Sequence, residues 1–225
     1  MRRAAPAIAL GVLVVFGAGR ARGADPEIAR ALAAALPEDG RTDVLVIDRP
    51  SVPGAPRVRG AARVNAPPEA VRAALLDAAR YGAVIPSLVK AEVRPEGPGV
   101  QFVGWELEVP LFNLSGRFAL RAAGDQVRLD LFEGDFSPGH LVFTIAPAPH
   151  GRATLLIDAS LDVRHSTWIL RRILKRSPYG EPAALAAAAY VALRGIALRA
   201  EHPNAARAWR PDAPPGPPTA WEPDP

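Results

Sequence analysis

The chain has 225 residues, 49% of them hydrophobic, a length that suits one domain with a real core and is short for two large ones. It has no cysteine, which excludes disulfides, thiolate catalysis and lipid attachment to an N-terminal cysteine. Its net charge of +4 comes wholly from Arg2, Arg3, Arg20 and Arg22, since no acid lies among the first 23 residues; the remainder is neutral and lacks the overall basic footprint of a nucleic-acid binder.

Those arginines flank a stretch with the three parts of a secretory signal. Arg2 and Arg3 form the basic start, Ala4 to Gly19 the apolar run, and Ala21-Arg22-Gly23 places small residues at the −3 and −1 positions before Ala24. The apolar run is about 16 residues, below the roughly 20 that span a bilayer. The expectation is removal of residues 1–23 and export to the periplasm or beyond; an uncleaved N-terminal anchor is the rival reading.

Residues 24–56 form an extension ahead of the main domain. In "PEIARALAAALPEDG", Ile28, Leu32 and Leu36 fall four apart, predicting a peripheral helix that ends near Gly40. "TDVLVIDRP" is a short strand candidate, closed by the Pro- and Gly-rich "RPSVPGAP", which cannot belong to a central strand. "RVRGAARVN" (57–65) then alternates Val58, Gly60, Ala62 and Val64 against Arg57, Arg59, Ala61 and Arg63, a strand with a charged outer face.

Asn65 is a candidate N-cap for the helix "PPEAVRAALLDAAR", with prolines in its first turn and Glu69 at the positive end of its dipole. Next, "RYGAVIPSLVKAEV" passes from a turn ending at Pro86 straight into a strand. Five further strands follow. "GVQFVGWELEV" alternates Val103, Trp105 and Leu107 against Glu106 and Glu108; "NLSGRFALRA" places Leu114, Gly116, Phe118 and Leu120 on one side; "DQVRLDLFEG" does the same with Val127, Leu129 and Leu131. "GHLVFTIAP" contributes Leu141, Phe143 and Ile145, and "RATLLIDASLDVRH" Leu155, Ile157 and Ala159. The turns between them are short and rich in Gly, Pro, Asp and Asn, so successive strands are antiparallel neighbours, and the apolar face they share needs a cover. "AALAAAAYVALRGIALRAE" supplies it, as a strong helix former with an apolar stripe. From residue 202 to 225 the chain is Pro-rich and too poor in apolar residues to order itself, a flexible tail.

The order strand, two short helices, a run of antiparallel strands and a long C-terminal helix resembles the START-like, helix-grip (SRPBCC) superfamily. "ARVNAPPEAVRAALLDAARYGAVIPSLVKAEV", with its Tyr-x-x-x-x-Pro joint, is similar to the corresponding segment of the polyketide cyclase and coenzyme Q-binding branch. The resemblance continues through "LDLFEGD" and "GHLVFTI" into "TWILRRILKRSP" and implies a domain over residues 57–201. The fold it implies is α+β: a curved antiparallel sheet of about six or seven strands wrapped around a long C-terminal helix, with two short helices after the first main strand. It also implies a cavity for a hydrophobic small molecule such as a lipid, quinone or polyketide, with the Tyr81 to Pro86 joint at its rim. The candidate lining is Tyr81, Trp105, Leu107, Leu129, Leu131, Phe143, Ile157, Trp168, Ala189 and Tyr190. For each, plain core packing is the alternative. Between the sheet and the alanine-rich helix from Ala183 to Ala192, small side chains leave volume that a ligand would fill.

The chemistry-bearing residues are sparse. His140, His150, His165 and His202 have no metal-binding spacing, so no metal or other cofactor is expected. Asp158, Asp162, Glu106 and Glu108 fall on polar strand faces as solvated charges, and Glu133 shares the inward parity of Leu131 unless its strand has ended. No catalytic residue is assigned. A binding or carrier protein is therefore the leading reading, with a cyclase-like or hydrolytic enzyme and an interaction module with a filled cavity as alternatives. "RHSTWILRRILKR" gathers Arg164, Arg171, Arg172, Lys175 and Arg176 near Trp168. That face is either solvated or rests weakly on an anionic membrane surface.

Overall fold

The computed structural model describes residues 12–17, 26–36, 43–48, 56–85, 87–109, 112–162, 166–174 and 179–204. Most of the predicted leader and tail, Pro86, Arg164, His165, Lys175 and Arg176 lie outside the described residues. Nine strands form one sheet: β1 (Val12–Gly17), β2 (Asp43–Asp48), β3 (Arg57–Val64), β4 (Leu88–Gly97), β5 (Val100–Val109), β6 (Phe112–Ala123), β7 (Gln126–Gly134), β8 (Gly139–Ala148) and β9 (Arg152–Leu161). The helices are α1 (Pro26–Ala35), α2 (Pro68–Leu76), α3 (Trp168–Leu174) and α4 (Gly180–Glu201), with a 3-10 turn over Ala78–Ala83. Spatial order along the sheet is β1-β2-β3-β9-β8-β7-β6-β5-β4. Every pair is antiparallel except β1 with β2.

Short turns explain most of that order. Two residues separate β4 from β5, β5 from β6, and β6 from β7, so each strand folds back on its predecessor. The first main strand, β3, meets the last, β9, over its whole length from Arg57↔Ser160 to Val64↔Ala153. β4 is the far edge, the kind of strand on which Pro95, with no N–H to give a ladder, is tolerated. The sheet curves around α4, whose Leu185, Ala189, Leu193, Ile196 and Ala197 are buried in the core with Val58, Val64, Leu155 and Ile157. By length and composition α4 is apolar enough to cross a membrane, yet here it packs on β3, β9 and α2.

One local expectation is corrected. The N-cap of α2 is Pro67, extended at φ −70° and ψ 157° and with no side-chain cap, because Pro68 in the first turn forces its predecessor out of helical geometry. Asn65 instead uses its backbone N–H to donate to Glu201 Oε1 at the end of α4, 2.8 Å away. The predicted peripheral helix α1 covers the outer face of the sheet: Leu32 and Leu36 are buried with Ala61 and packed against Leu156.

Candidate ligand cavity

The inward residues of the strands do not all reach α4. Between the sheet's inner face and the middle of α4 lies a cavity of about 340 Å³. Its sheet wall is Leu88 and Ala91 of β4, Val103, Trp105 and Leu107 of β5, Phe118 of β6, Leu129 and Leu131 of β7, Leu141 and Phe143 of β8, and Leu161 of β9. Its helix wall is Ala187, Ala188, Val191, Ala192 and Ile196. Tyr81 and Ile85 close one side, and Phe136 enters from the turn between β7 and β8. Ser87 and Ala187 are the lining residues exposed to solvent, which places the opening between the start of β4 and α4.

Local sequence sets each aromatic in place. Trp105 pairs in register with Gly116, and the missing side chain there makes the bed for the indole: a Cβ on Gly116 would stand 2.9 Å from Trp105 Cζ2 and 2.5 Å from the Glu133 carbonyl oxygen. Phe136 stacks on the indole with centroids 6.0 Å apart and planes 8° apart. It does so from a left-handed backbone at φ 67°, uncommon for a bulky residue and costly unless its neighbours hold it. The hold comes from Asp135, whose carboxylate accepts from the Ser115 N–H at 2.9 Å and the Thr167 N–H at 3.1 Å.

Tyr81 stacks on Phe118 with centroids 6.4 Å apart and donates its hydroxyl to the Leu75 carbonyl. Burial, with the Asp77 carboxylate adding, pushes that phenol far above the usual tyrosine range, so it stays protonated at neutral pH. The turn carrying Tyr81 lies close against α4. A Cβ at Gly195 would come within 2.7 Å of the Val84 carbonyl oxygen, so only glycine lets helix and turn approach this far.

The structure thus gathers Tyr81, Trp105, Leu107, Leu129, Leu131 and Phe143 around one cavity. Ile157 and Ala189 are buried in the core outside the lining, Tyr190 is half-buried against the core, and Trp168 stands 65% exposed on α3. The helix face at the cavity is therefore one residue out of phase with the expected one. Phe118, Val103 and Leu141 shared the inward parity and were legible on that ground; Phe136 sits in a turn, where no periodicity marks it. The lining holds no Asp, Glu, His, Lys or Arg, so its wall offers dispersion contacts and very few polar groups.

No protein-family model matches the sequence, and no curated protein matches it. Solved structures do match. A protein from Thermus thermophilus, TTHA0849, aligns with TM-score 0.55 at 16% identity, covering 66% of this chain and 99% of its own. The Zhui aromatase/cyclase from Streptomyces sp. R1128 gives 0.52 at 17% identity, covering 65% and 93%. The human StarD13 (DLC2) lipid transfer and protein localization domain gives 0.51 at 12%, covering 68% and 82%. The fold is the START-like helix grip.

On the outer face of this helix grip the polar residues pair with one another. Asp158 and Asp162, expected in solvent, are buried. Asp158 accepts from Arg57 Nε at 2.6 Å and from Arg57 Nη2, with Arg59 Nε 3.5 Å away. His140 is lowered from the usual imidazole value by burial first and by Arg128 second. Glu133 points outward, 3.2 Å from Arg117. Its strand has not ended; a bulge does the work, since Phe118 pairs with Leu131 but Arg117 pairs with Glu133, so Phe132 is the extra residue and parity reverses after it. Among the described residues no three His, Asp or Glu side chains come together to hold a metal ion.

Proposed function

We propose that this chain is an exported binding or carrier protein for a hydrophobic small molecule, of lipid, quinone or polyketide-like character, held between the sheet and the C-terminal helix. The observation that carries the reading is the cavity of about 340 Å³ walled by apolar side chains, without an acid or base in its lining. That volume falls at the lower end of the roughly 300–1,000 Å³ typical of ligand pockets, which suits one apolar chain or a compact ring system. The structural neighbours support it by what they are described as: an aromatase/cyclase and a lipid transfer domain. The lining favours binding over turnover because no general acid or base faces the space.

Mass spectrometry of the organic extract from the purified protein tests this. An apolar molecule should leave with the protein in near-stoichiometric amount. An extract without one, together with failure to bind any fluorescent fatty acid, would overturn the reading. Export rests on the leader-like N-terminus, and N-terminal sequencing beginning at Ala24 is the expected result. Exposed Trp168 beside exposed Arg171 and Arg172 supports weak, salt-sensitive contact with an anionic membrane surface, each basic side chain contributing about 1 kcal/mol near the lipid. Flotation with anionic vesicles at low salt, lost at high salt, is the expected outcome.

A further inference from the structure

Trp105 is more than nine-tenths buried and lines the cavity, yet its indole Nε1 has no hydrogen-bond acceptor among the described residues. A phenylalanine would supply an aromatic surface at this place without a buried N–H, and native proteins rarely leave such a donor unmet. The indole has little freedom to swing its N–H elsewhere, bedded on Gly116 and stacked under Phe136. Other polar atoms of the wall do not meet it. The Tyr81 hydroxyl is committed to Leu75, and Ser87 stands at the opening.

We infer that the bound molecule is an apolar compound with a carbonyl oxygen, and that this oxygen accepts a hydrogen bond from Trp105 Nε1. The inference rests on the carrier reading above and narrows it. Indole nitrogen is a donor only, so it selects an acceptor. A carboxylate would enter a wall with no cation to offset its desolvation. A hydroxyl would bring a donor of its own, for which the Tyr81 oxygen is the one buried side-chain acceptor in the lining. A ketone, quinone or ester carbonyl is satisfied by one neutral donor. Nε1 is itself shielded from water, so the carbonyl reaches it by displacing a wall side chain. Phe136, half-buried in the turn between β7 and β8 and stacked on the indole, is one lining side chain that neither strand nor helix holds.

Matched probes read this out on the full chain. Fluorenone and fluorene share a ring skeleton and differ by one carbonyl; methyl laurate and pentadecane repeat the comparison for an ester. Equilibrium dialysis should show the carbonyl-to-hydrocarbon affinity ratio falling about five- to tenfold on Trp105→Phe for at least one pair, the size of one neutral hydrogen bond. Whichever pair responds tells a ring ketone from an acyl ester. In the parent protein that carbonyl probe, and not its hydrocarbon, should move the Trp105 indole N–H resonance downfield, a readout that stands even if the variant fails to fold. Hydrocarbon and carbonyl probes that bind with an unchanged ratio and no downfield shift would overturn the inference while leaving the carrier reading intact. Binding of none of the four would sink both.

Discussion

Tyr81 places a phenol where water does not reach, and its protonation carries a stability signature. The folded pKa lies above the ordinary value because burial, and then Asp77, disfavour the phenolate. The stabilisation is therefore complete below pH of about 10, where the unfolded phenol keeps its proton, and is lost as pH climbs above that toward the folded value. In an alkaline absorbance titration, one of the three tyrosines should ionise only as the chain unfolds. Tyr81→Phe should remove that late step and lower stability in urea by about 1 kcal/mol; an unaltered titration curve would contradict the burial. Gly116→Ala tests the neighbouring aromatic. Its new methyl would meet both the indole and the Glu133 carbonyl, so a loss of about 1–3 kcal/mol is expected, with a shift in tryptophan emission. Tyr81 and Trp105 were legible because a two-residue alternation puts a side chain on a known face and because the Tyr-x-x-x-x-Pro joint resembles that of the helix grip. Glu133 was not, since the bulge at Phe132 reverses the alternation and leaves no mark in composition.

At the scale of the element, α4 shows where sequence periodicity loses its grip. Alanine occupies nearly every side of its first half, so the apolar stripe has no sharp centre and its phase cannot be set to within one residue. Packing against β3 and β9 decides the matter, burying Ala189 fully and turning Ala187, Ala188, Val191 and Ala192 to the cavity. The two faces should respond differently to one substitution. Ala188→Trp should fill the cavity and abolish binding of a fluorescent fatty acid with the far-UV spectrum unchanged. Ala189→Trp should overpack the core and lower stability in urea by about 1–3 kcal/mol. Equal binding by Ala188→Trp and the parent would place the ligand elsewhere. The same limit applies to α1. Its stripe was plain, but the arginines on the outer face of β3 concealed that Ala61 and Leu156 form an apolar island there for Leu32 and Leu36 to cover.

For the molecule as a whole, short turns made neighbouring strands legible, whereas the pairing of β3 with β9 joins residues about a hundred positions apart and no local pattern dictates it. The resemblance to the helix grip supplied a curved antiparallel sheet around the C-terminal helix, without naming that pair. It did not supply β1 and β2, which extend the sheet beyond β3. β1 lies within the segment read as a leader, so removal of residues 1–23 would strip an edge strand, and whether the domain tolerates that is a question of where the cavity sits. Every lining strand residue belongs to β4 through β9, and none to β1, β2 or β3. β1 is also terminal in the sheet, so its loss interrupts no other pairing. The edge it uncovers is short, with Asp43 and Asp48 at the two ends of β2, and charges on a short edge oppose strand-to-strand aggregation. Distant, unshared sites couple by no more than about 0.3–0.5 kcal/mol, roughly a twofold effect. A chain beginning at Ala24 should therefore stay monodisperse and bind a fluorescent fatty acid within about twofold of the full chain. Aggregation of the shortened chain, or loss of its binding, would make β1 a working strand of the domain and the leader reading untenable.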